Sequence, residues 1–418
     1  MVGIIKDKIL FYAGTCELIG GDTKYFCNLV NGVGETEAFD LIIATDKNDA
    51  FHDRAKQWLN KKYFVQYIST RPAINKTSFF SIIDIVLPMG ILGRKLSKYV
   101  DLMFRLLFFV YLYDFIYNFR IFNLLFKNNK NIKIFHCNSG SFPGRIAGVA
   151  GILAAYYNNC PKIVMTIHNE SSIIIDPLSR IYDTIVRTCC HHIIPVSENV
   201  KDSLIANNKF KTNKINIITI GLEDYEFYKM QNHFVSTSKV KIIIVGNYEE
   251  KRKGHEQLFQ VIAELNMKYP NIMLVVAGTG SSKRRSILDK LAAKLKIENN
   301  IEWLGYIENI DELIMSCDIV AVPSIASEAI PYTIVEGLRA GKPMVISDIG
   351  GCSEAVVDNF NGYVVNPFDQ KKMVDKFKSL LDNQERCINF GKNSRELFMK
   401  NFNQQDKLAM HLELYRKS

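Results

Sequence analysis

A chain of 418 residues is longer than most single domains, and its length predicts two. Its composition, 48% apolar and 23% charged with a mean hydropathy near zero, excludes a disordered tail, a collagen, a small disulfide-stapled scaffold and a polytopic membrane protein. The net charge of +9 is modest but unevenly placed: residues 51–135 hold 14 Lys and Arg against 4 Asp and Glu, so the remainder is close to neutral.

In chain order, Lys6 and Lys8 precede no long apolar core, and no signal peptide is expected. Short apolar runs rich in β-branched residues predict strands at Ile9–Tyr12, Leu41–Ala44, Ile132–Phe135, Ile163–Thr166 and Ile193–Val196. The apolar stretch Leu102–Phe126 is interrupted by Arg105, Asp114 and Arg120. Its uncharged runs fall short of the ~20 residues that cross a bilayer. The basic segment around it is interleaved with aromatics, a pattern that suits an anionic membrane surface or nucleic acid, against the plainer reading of a solvated Lys-rich face. The nine cysteines form no C-x-x-C and lie mostly in apolar runs, as reduced buried thiols do. The run Cys189-Cys190-His191-His192 is not read as a metal site, because four consecutive residues do not converge easily on one ion.

The second half repeats the rhythm, with strands at Val240–Val245, Ile272–Ala277, Ile301–Leu304, Ile319–Val322, Met344–Ile346 and Tyr363–Val365. Helical patterns fall between them, including Glu256–Lys268 and Asp311–Cys317, and the chain after Asn366 is mostly helical, with Gln370–Leu381 and Asp406–Tyr415 amphipathic. Strands alternating with helices predict an α/β protein with parallel sheets covered on both faces. A polar stretch between Glu223 and Lys239 marks the boundary between two Rossmann-like domains.

Chemistry concentrates at two places. In residues 323–337 a strand end is followed by a loop carrying Glu328 and a helix expected to start at Pro331. Unpaired N–H groups at a helix start attract an anion, and Glu336 falls about one and a half turns inside. In residues 245–255, Gly246 ends a strand and the loop supplies Lys251, Arg252 and Lys253. Cations presented at the carboxyl end of a parallel strand suit a phosphate group. In isolation, each feature reads equally well as solvated surface.

Together these stretches resemble the retaining glycosyltransferases of family 4, which have the GT-B fold. Glu328 and Glu336 match the family's E-x7-E, and Lys253-Gly254 its Lys-Gly element. Gly341-Lys342-Pro343-Met344-Val345, Gly350-Gly351-Cys352-Ser353-Glu354, Ala277-Gly278-Thr279-Gly280 and Asn361-Gly362 match later segments in order and spacing. The first half is similar more loosely, through Gly20-Gly21-Asp22, His136, Thr166-Ile167-His168 and Val196-Ser197. Three positions depart from the pattern: Asn247 stands for the usual Arg, Ala329 for a Gly and Ile220 for the Asn of an Asn-Gly.

The resemblance implies two Rossmann-like domains facing each other across a cleft: 1–222 taking the acceptor, 239–385 taking the nucleotide sugar, and 386–418 as helices packing back towards the first. It implies that Arg252 and Lys253 hold the diphosphate, that Glu336 holds the ribose and that Glu328 touches the transferred sugar. His168 and Gly21 are implied near the sugar and phosphates, and Gly278, Gly280 and Tyr306 near the base. Ile330, Tyr332 and Thr333 complete the implied donor site, and Glu328, His168 and Lys253 the implied catalytic set. Breaking the sugar–diphosphate bond leaves negative charge on phosphate, which these cations stabilise without a divalent metal. Neither a metal nor another cofactor is expected. The implied partners are a nucleoside-diphosphate sugar, most commonly of uridine, a glycan or lipid-linked acceptor and an anionic membrane surface, with no nucleic acid. The expected setting is cytoplasmic or peripheral to the inner membrane, in synthesis of a bacterial surface polysaccharide. The alternatives are a sugar-nucleotide epimerase or phosphorylase of the same fold, or a non-catalytic sugar-nucleotide-binding subunit. A nicotinamide dehydrogenase is excluded because no G-x-G-x-x-G follows a strand.

Overall fold

The structure, a computed structural model, describes residues 6–14, 20–46, 58–59, 65–68, 94–171, 173–174, 177–224, 239–326 and 328–416. Among these, β1 (Lys8–Ala13), β2 (Asp40–Asp46), β3 (Val65–Ile68), β4 (Ile132–Ser139), β5 (Lys162–Ile167) and β6 (His192–Pro195) form one sheet in the order β3-β2-β1-β4-β5-β6. Its helices are α1 (Gly21–Glu35), α2 (Arg94–Asn128), α3 (Ile146–Tyr157), α4 (Pro177–Cys189) and α5 (Glu198–Asn208). A second sheet holds β7 (Val240–Val245), β8 (Ile272–Ala277), β9 (Ile301–Gly305), β10 (Ile319–Val322), β11 (Met344–Ser347) and β12 (Gly362–Val365), ordered β12-β11-β10-β7-β8-β9. Its helices are α6 (His255–Asn266), α7 (Ser282–Leu295), α8 (Ile310–Ser316), α9 (Tyr332–Arg339), α10 (Gln370–Leu381), α11 (Gln384–Asn401) and α12 (Gln404–Arg416).

Every strand pairing in both sheets is parallel. Each sheet is doubly wound, and its strand order reverses once, between β1 and β4 or between β7 and β10. Ligands of such sheets bind outside the carboxyl ends of the strands at that reversal. Burial explains the apolar runs: Ile9, Leu10, Phe11 and Tyr12 of β1 are all fully covered, as a strand flanked by helices on both faces requires. In the second sheet, Ile242, Ile244, Leu274 and Val276 pack with Phe259 and Ile262 of α6. Each such side chain contributes roughly 1.5–3 kcal/mol by leaving water.

By contacts the chain divides into two compact units. The first takes the described residues up to Pro195, Asp202–Asn216 and those from Leu412 onward; the second takes Val196–Lys201 and Ile217–His411. Of the helical residues expected from 386 onward to pack back towards the first domain, 386–411 cluster with the second unit and those from Leu412 with the first.

Three elements differ from expectation. β3 has no apolar run, Gln66 breaking it, and escapes a periodicity search. β4 continues four residues past Phe135, because His136, Cys137, Asn138 and Ser139 stay paired with β5 although polar residues interrupt the pattern. Helix α9 begins at Tyr332 with Pro331 as its N-cap, one residue later than expected. The segment Leu102–Phe126 lies within α2, and among the described residues no helix is long and apolar enough to cross a membrane. Towards its end α2 packs on the sheet through Phe122, which meets Tyr12 and Phe135 edge-on. Much of the basic arm, including residues 69–93, lies outside the described residues, as do the side chains of Lys95, Lys98 and Arg105. The eight described cysteines are buried, and none of them forms a disulfide.

Candidate functional site

In the second unit the loops after β7 and β10 meet at the strand-order reversal. Asn247, where an Arg was expected, shapes the first loop: its Oδ1 accepts the Glu249 N–H at 2.9 Å and its carbonyl the Glu250 N–H at 3.2 Å. A single 3₁₀ turn, Lys251–Lys253, then ends at Gly254. Gly254 has φ +75°, and a Cβ there would lie 1.8 Å from the Pro323 carbonyl oxygen. Glycine is needed both for the left-handed backbone and for the approach of the two loops. Alongside, the Arg252 carbonyl accepts the Ile325 N–H at 2.8 Å.

This approach delivers the charges. Lys253 Nζ donates to Glu328 Oε1 at 2.6 Å, and the Arg252 guanidinium pairs with the same oxygen at 2.7 Å and with Glu250 at 2.5 Å. Ser324 Oγ donates to Glu328 Oε1 at 3.2 Å. Glu328 is 9% exposed, while Lys253 and Arg252 keep 20% and 39% of their surface, so the cations open outward and the carboxylate sits behind them. Burial works against the Arg252 charge, but Glu328 and Glu250 outweigh it and its pKa is raised. The Gly-Gly of residues 350–351 forms the wall behind Glu328. Gly351 N–H donates to the Glu328 carbonyl at 2.8 Å, and a Cβ on Gly350, at φ +54°, would lie 2.0 Å from that oxygen. Three separate sequence motifs are therefore one assembly that aims a carboxylate and two cations.

The other expected donor residues of the second unit lie at various depths. Glu336 lies in the second turn of α9, buried, with Ile330 and Thr333 also buried and Tyr332 half-buried. Tyr306 follows β9 and is 49% exposed. Gly278 N–H donates to the Gly305 carbonyl at 2.7 Å, and the Gly280 carbonyl accepts the Tyr248 hydroxyl at 3.4 Å. Both glycines are engaged in joining the loops after β7, β8 and β9.

In the first unit a neutral amide and imidazole meet at the strand-order reversal, with the acidic Asp22 beside them. Gly20 is the N-cap of α1 and Gly21 its first residue, with Asp22 in the first turn. Asn138, near the end of β4, donates through Nδ2 to the Asp22 carbonyl at 3.3 Å. That orients its Oδ1 towards His168 Nε2, 2.8 Å away. An amide oxygen only accepts, so the imidazole carries its proton on Nε2, an assignment that follows from the hydrogen-bond network. Burial lowers the His168 pKa to about 4, with the Asp22 charge offsetting only part, so the ring is neutral at pH 7. The Tyr25 ring stands edge-on to it at 4.8 Å.

Beneath lies a buried polar file. His136 Nδ1 bonds the Tyr415 hydroxyl at 2.5 Å and Nε2 the Thr166 hydroxyl at 2.8 Å. Lys162 Nζ donates to the carbonyls of Leu414 and Tyr415 at 2.7 and 3.1 Å, satisfying the C-terminal end of α12. Two matched residues, Ser197 and Glu354, cap a helix start. Ser197 Oγ accepts the Val200 N–H at 3.1 Å while Glu354 accepts those of Glu198 and Asn199 at 2.8 and 2.7 Å, so together they cap the start of α5. In the Cys-Cys-His-His run, Cys189 and Cys190 are buried, His191 Nδ1 accepts the Ile163 N–H at 2.9 Å and His192 pairs with Asn216 at 3.0 Å.

Asn138, Tyr25, Ser324 and Tyr415 escaped the reading of the sequence. Only Asn138 left a signal, a polar residue two positions beyond His136 on a strand at the reversal point.

Comparison with known proteins bears on these arrangements. Residues 227–397 match the model of the glycosyl transferases group 1. The chain is 26% identical over 221 residues to the N,N'-diacetylbacillosaminyl-diphospho-undecaprenol alpha-1,3-N-acetylgalactosaminyltransferase of Campylobacter jejuni, covering 49% of this chain and 55% of that one. It is 22% identical over 287 residues to the capsular polysaccharide biosynthesis glycosyltransferase CapM of Staphylococcus aureus, covering 65% and 74%. The chain spans about half the length of several of the curated relatives it matches. The structure of Anabaena HepE in complex with UDP superposes with a TM-score of 0.73 at 15% identity, over 97% of this chain and 99% of that one. The two doubly wound parallel units therefore make up a GT-B fold.

Proposed function

We propose that this chain, which belongs through residues 227–397 to the glycosyl transferases group 1, is a retaining enzyme that moves a sugar from a uridine-diphosphate sugar to a glycan or lipid-linked acceptor in bacterial surface-polysaccharide synthesis. The observation that carries this reading is the outward-opening pair Arg252 and Lys253, held 2.7 and 2.6 Å from Glu328 at the strand-order reversal of the second sheet. As the bond from sugar to diphosphate breaks, negative charge grows on phosphate. Lys253, Arg252 and the start of α9 stabilise it as preorganised positive charge, and no divalent metal is required. Bound diphosphate would take over the cations that Glu328 now neutralises, leaving its carboxylate beside the sugar. Glu336 holds the ribose, Tyr306 lies near the base, and neutral His168 accepts a hydrogen bond from a substrate hydroxyl through Nδ1.

The relatives support the acceptor class, one being named for a lipid-linked diphospho-undecaprenol substrate and the other for capsule synthesis. A lipid-linked acceptor places the enzyme on a membrane surface, and Tyr111, Leu112, Tyr113 and Ile116 of α2 are exposed beside exposed Arg120. Screening labelled sugar nucleotides for binding and transfer, with the product's anomeric configuration read by NMR, tests the reaction. Saturable binding of a uridine-diphosphate sugar that depends on Lys253 is expected; inversion at the anomeric carbon, or no nucleotide binding, would overturn it. Flotation with anionic vesicles that weakens with salt tests the membrane reading.

A further inference from the structure

Neutral imidazole has two tautomers, and which nitrogen offers a lone pair depends on the partner of the other. In this chain that partner is Asn138. Its side chain is 4% exposed and bonded at both ends, Nδ2 to the Asp22 carbonyl at 3.3 Å and Oδ1 to His168 Nε2 at 2.8 Å. Turning the amide over would set its oxygen against the Asp22 carbonyl, two acceptors facing each other, so the orientation is determined. The backbone of Asn138 is equally fixed, since its carbonyl accepts the Gly14 N–H at 3.2 Å and β4 pairs on both sides. Tyr25 holds the imidazole from another direction, edge-on at 4.8 Å. Among the described residues His168 Nδ1 has no hydrogen-bond partner.

We propose that Asn138 is a positioning residue for sugar transfer: it holds His168 as the Nε2–H tautomer and ties the ring to the start of α1, so that Nδ1 is presented as an acceptor for a substrate hydroxyl. The proposal rests on the reading that His168 meets substrate, and its test separates the two.

The first measurement needs no substrate. Histidine ¹⁵N–¹H correlation spectra of the full chain at pH 7 should show the His168 signal, assigned by its loss in His168→Gln, as a single neutral Nε2–H tautomer. A protonated Nδ1, or a mixture of tautomers, would overturn the proposal. The second is a double-mutant comparison, following UDP release from UDP-glucose, UDP-galactose and UDP-N-acetylglucosamine. Asn138→Leu should slow turnover about tenfold or more, the usual size when a partner orienting a functional histidine is lost, with UDP affinity unchanged. In a His168→Ala background the same substitution should cost nothing further. An equal loss in both backgrounds makes Asn138 a structural residue and sinks the proposal. If His168→Ala alone leaves turnover intact, the assignment of His168 to the substrate fails instead.

Discussion

At the reversal between β7 and β10, Arg252 and Lys253 each reach Glu328, at 2.7 and 2.6 Å. At the corresponding reversal between β1 and β4, Asn138 meets a neutral His168 and the backbone of Asp22. The two sheets are wound in the same order, so topology only chooses the place. What gathers there differs with the loops. The second unit brings charged loops together through glycines that let backbones touch, as Gly254 and Gly350 do. In the first unit burial disfavours charge, lowering the His168 pKa to about 4. A cluster of open charges suits recognition of an anion; a desolvated neutral ring suits discrimination among hydroxyls.

That contrast can be broken most forcefully at Lys253. On the proposed function, Lys253→Ala should slow sugar transfer by roughly 10²–10³-fold, or ~3–4 kcal/mol, through lost charge stabilisation of a departing diphosphate. The thermal midpoint should hardly move, and a folded variant with normal rates would refute the charge-cluster reading. Next in size is the backbone approach itself. Gly254→Ala should destabilise the second unit by about 2–4 kcal/mol, combining a left-handed alanine with an overlap on the Pro323 carbonyl. Chemical denaturation with a probe in each unit would show whether the loss is confined there.

Glu336→Ala should weaken UDP binding by ~1.5–3 kcal/mol if its carboxylate holds the ribose hydroxyls. Glu328→Gln should behave oppositely, keeping or tightening UDP binding while transfer falls, since it removes the internal competitor for Arg252 and Lys253. Calorimetry on both variants settles the division of roles; equal losses of UDP affinity would dissolve it.

The smallest effect concerns pH. His168 in the first unit and His255 in the second both have pKa values lowered to about 4 by burial, and the cations Arg284 and Lys253 lower His255 further. The unfolded chain titrates near 6.5. Between these values the unfolded state binds more protons, so stability is full above pH 6.5 and is lost as pH falls towards 4. Melting curves from pH 7 to 5 should show the decline, and His168→Gln and His255→Gln should each flatten it. An unchanged slope in His168→Gln would mean that its ring is not held neutral.

The sequence by itself determined the α/β class, most strands and the place of the charge cluster. Those features are local: a parallel strand buried on both faces reads as an apolar run, and motifs with glycines at set spacings announce loops that must approach closely. The boundaries Val240–Val245, Ile272–Ala277 and Ile319–Val322 coincide with the observed strands for that reason. Tertiary structure alone decided how the motifs serve one another. Nothing local says that Gly350 forms the wall behind Glu328, that Glu354 caps a helix start 156 residues earlier, or that His136 bonds Tyr415 across 279 residues of chain. Asn138 shows the limit most clearly. One polar residue at a strand end has no periodicity to betray it, and its meaning arises only when the sheet brings β1, β4 and β5 side by side, placing its amide between the start of α1 and the imidazole of His168.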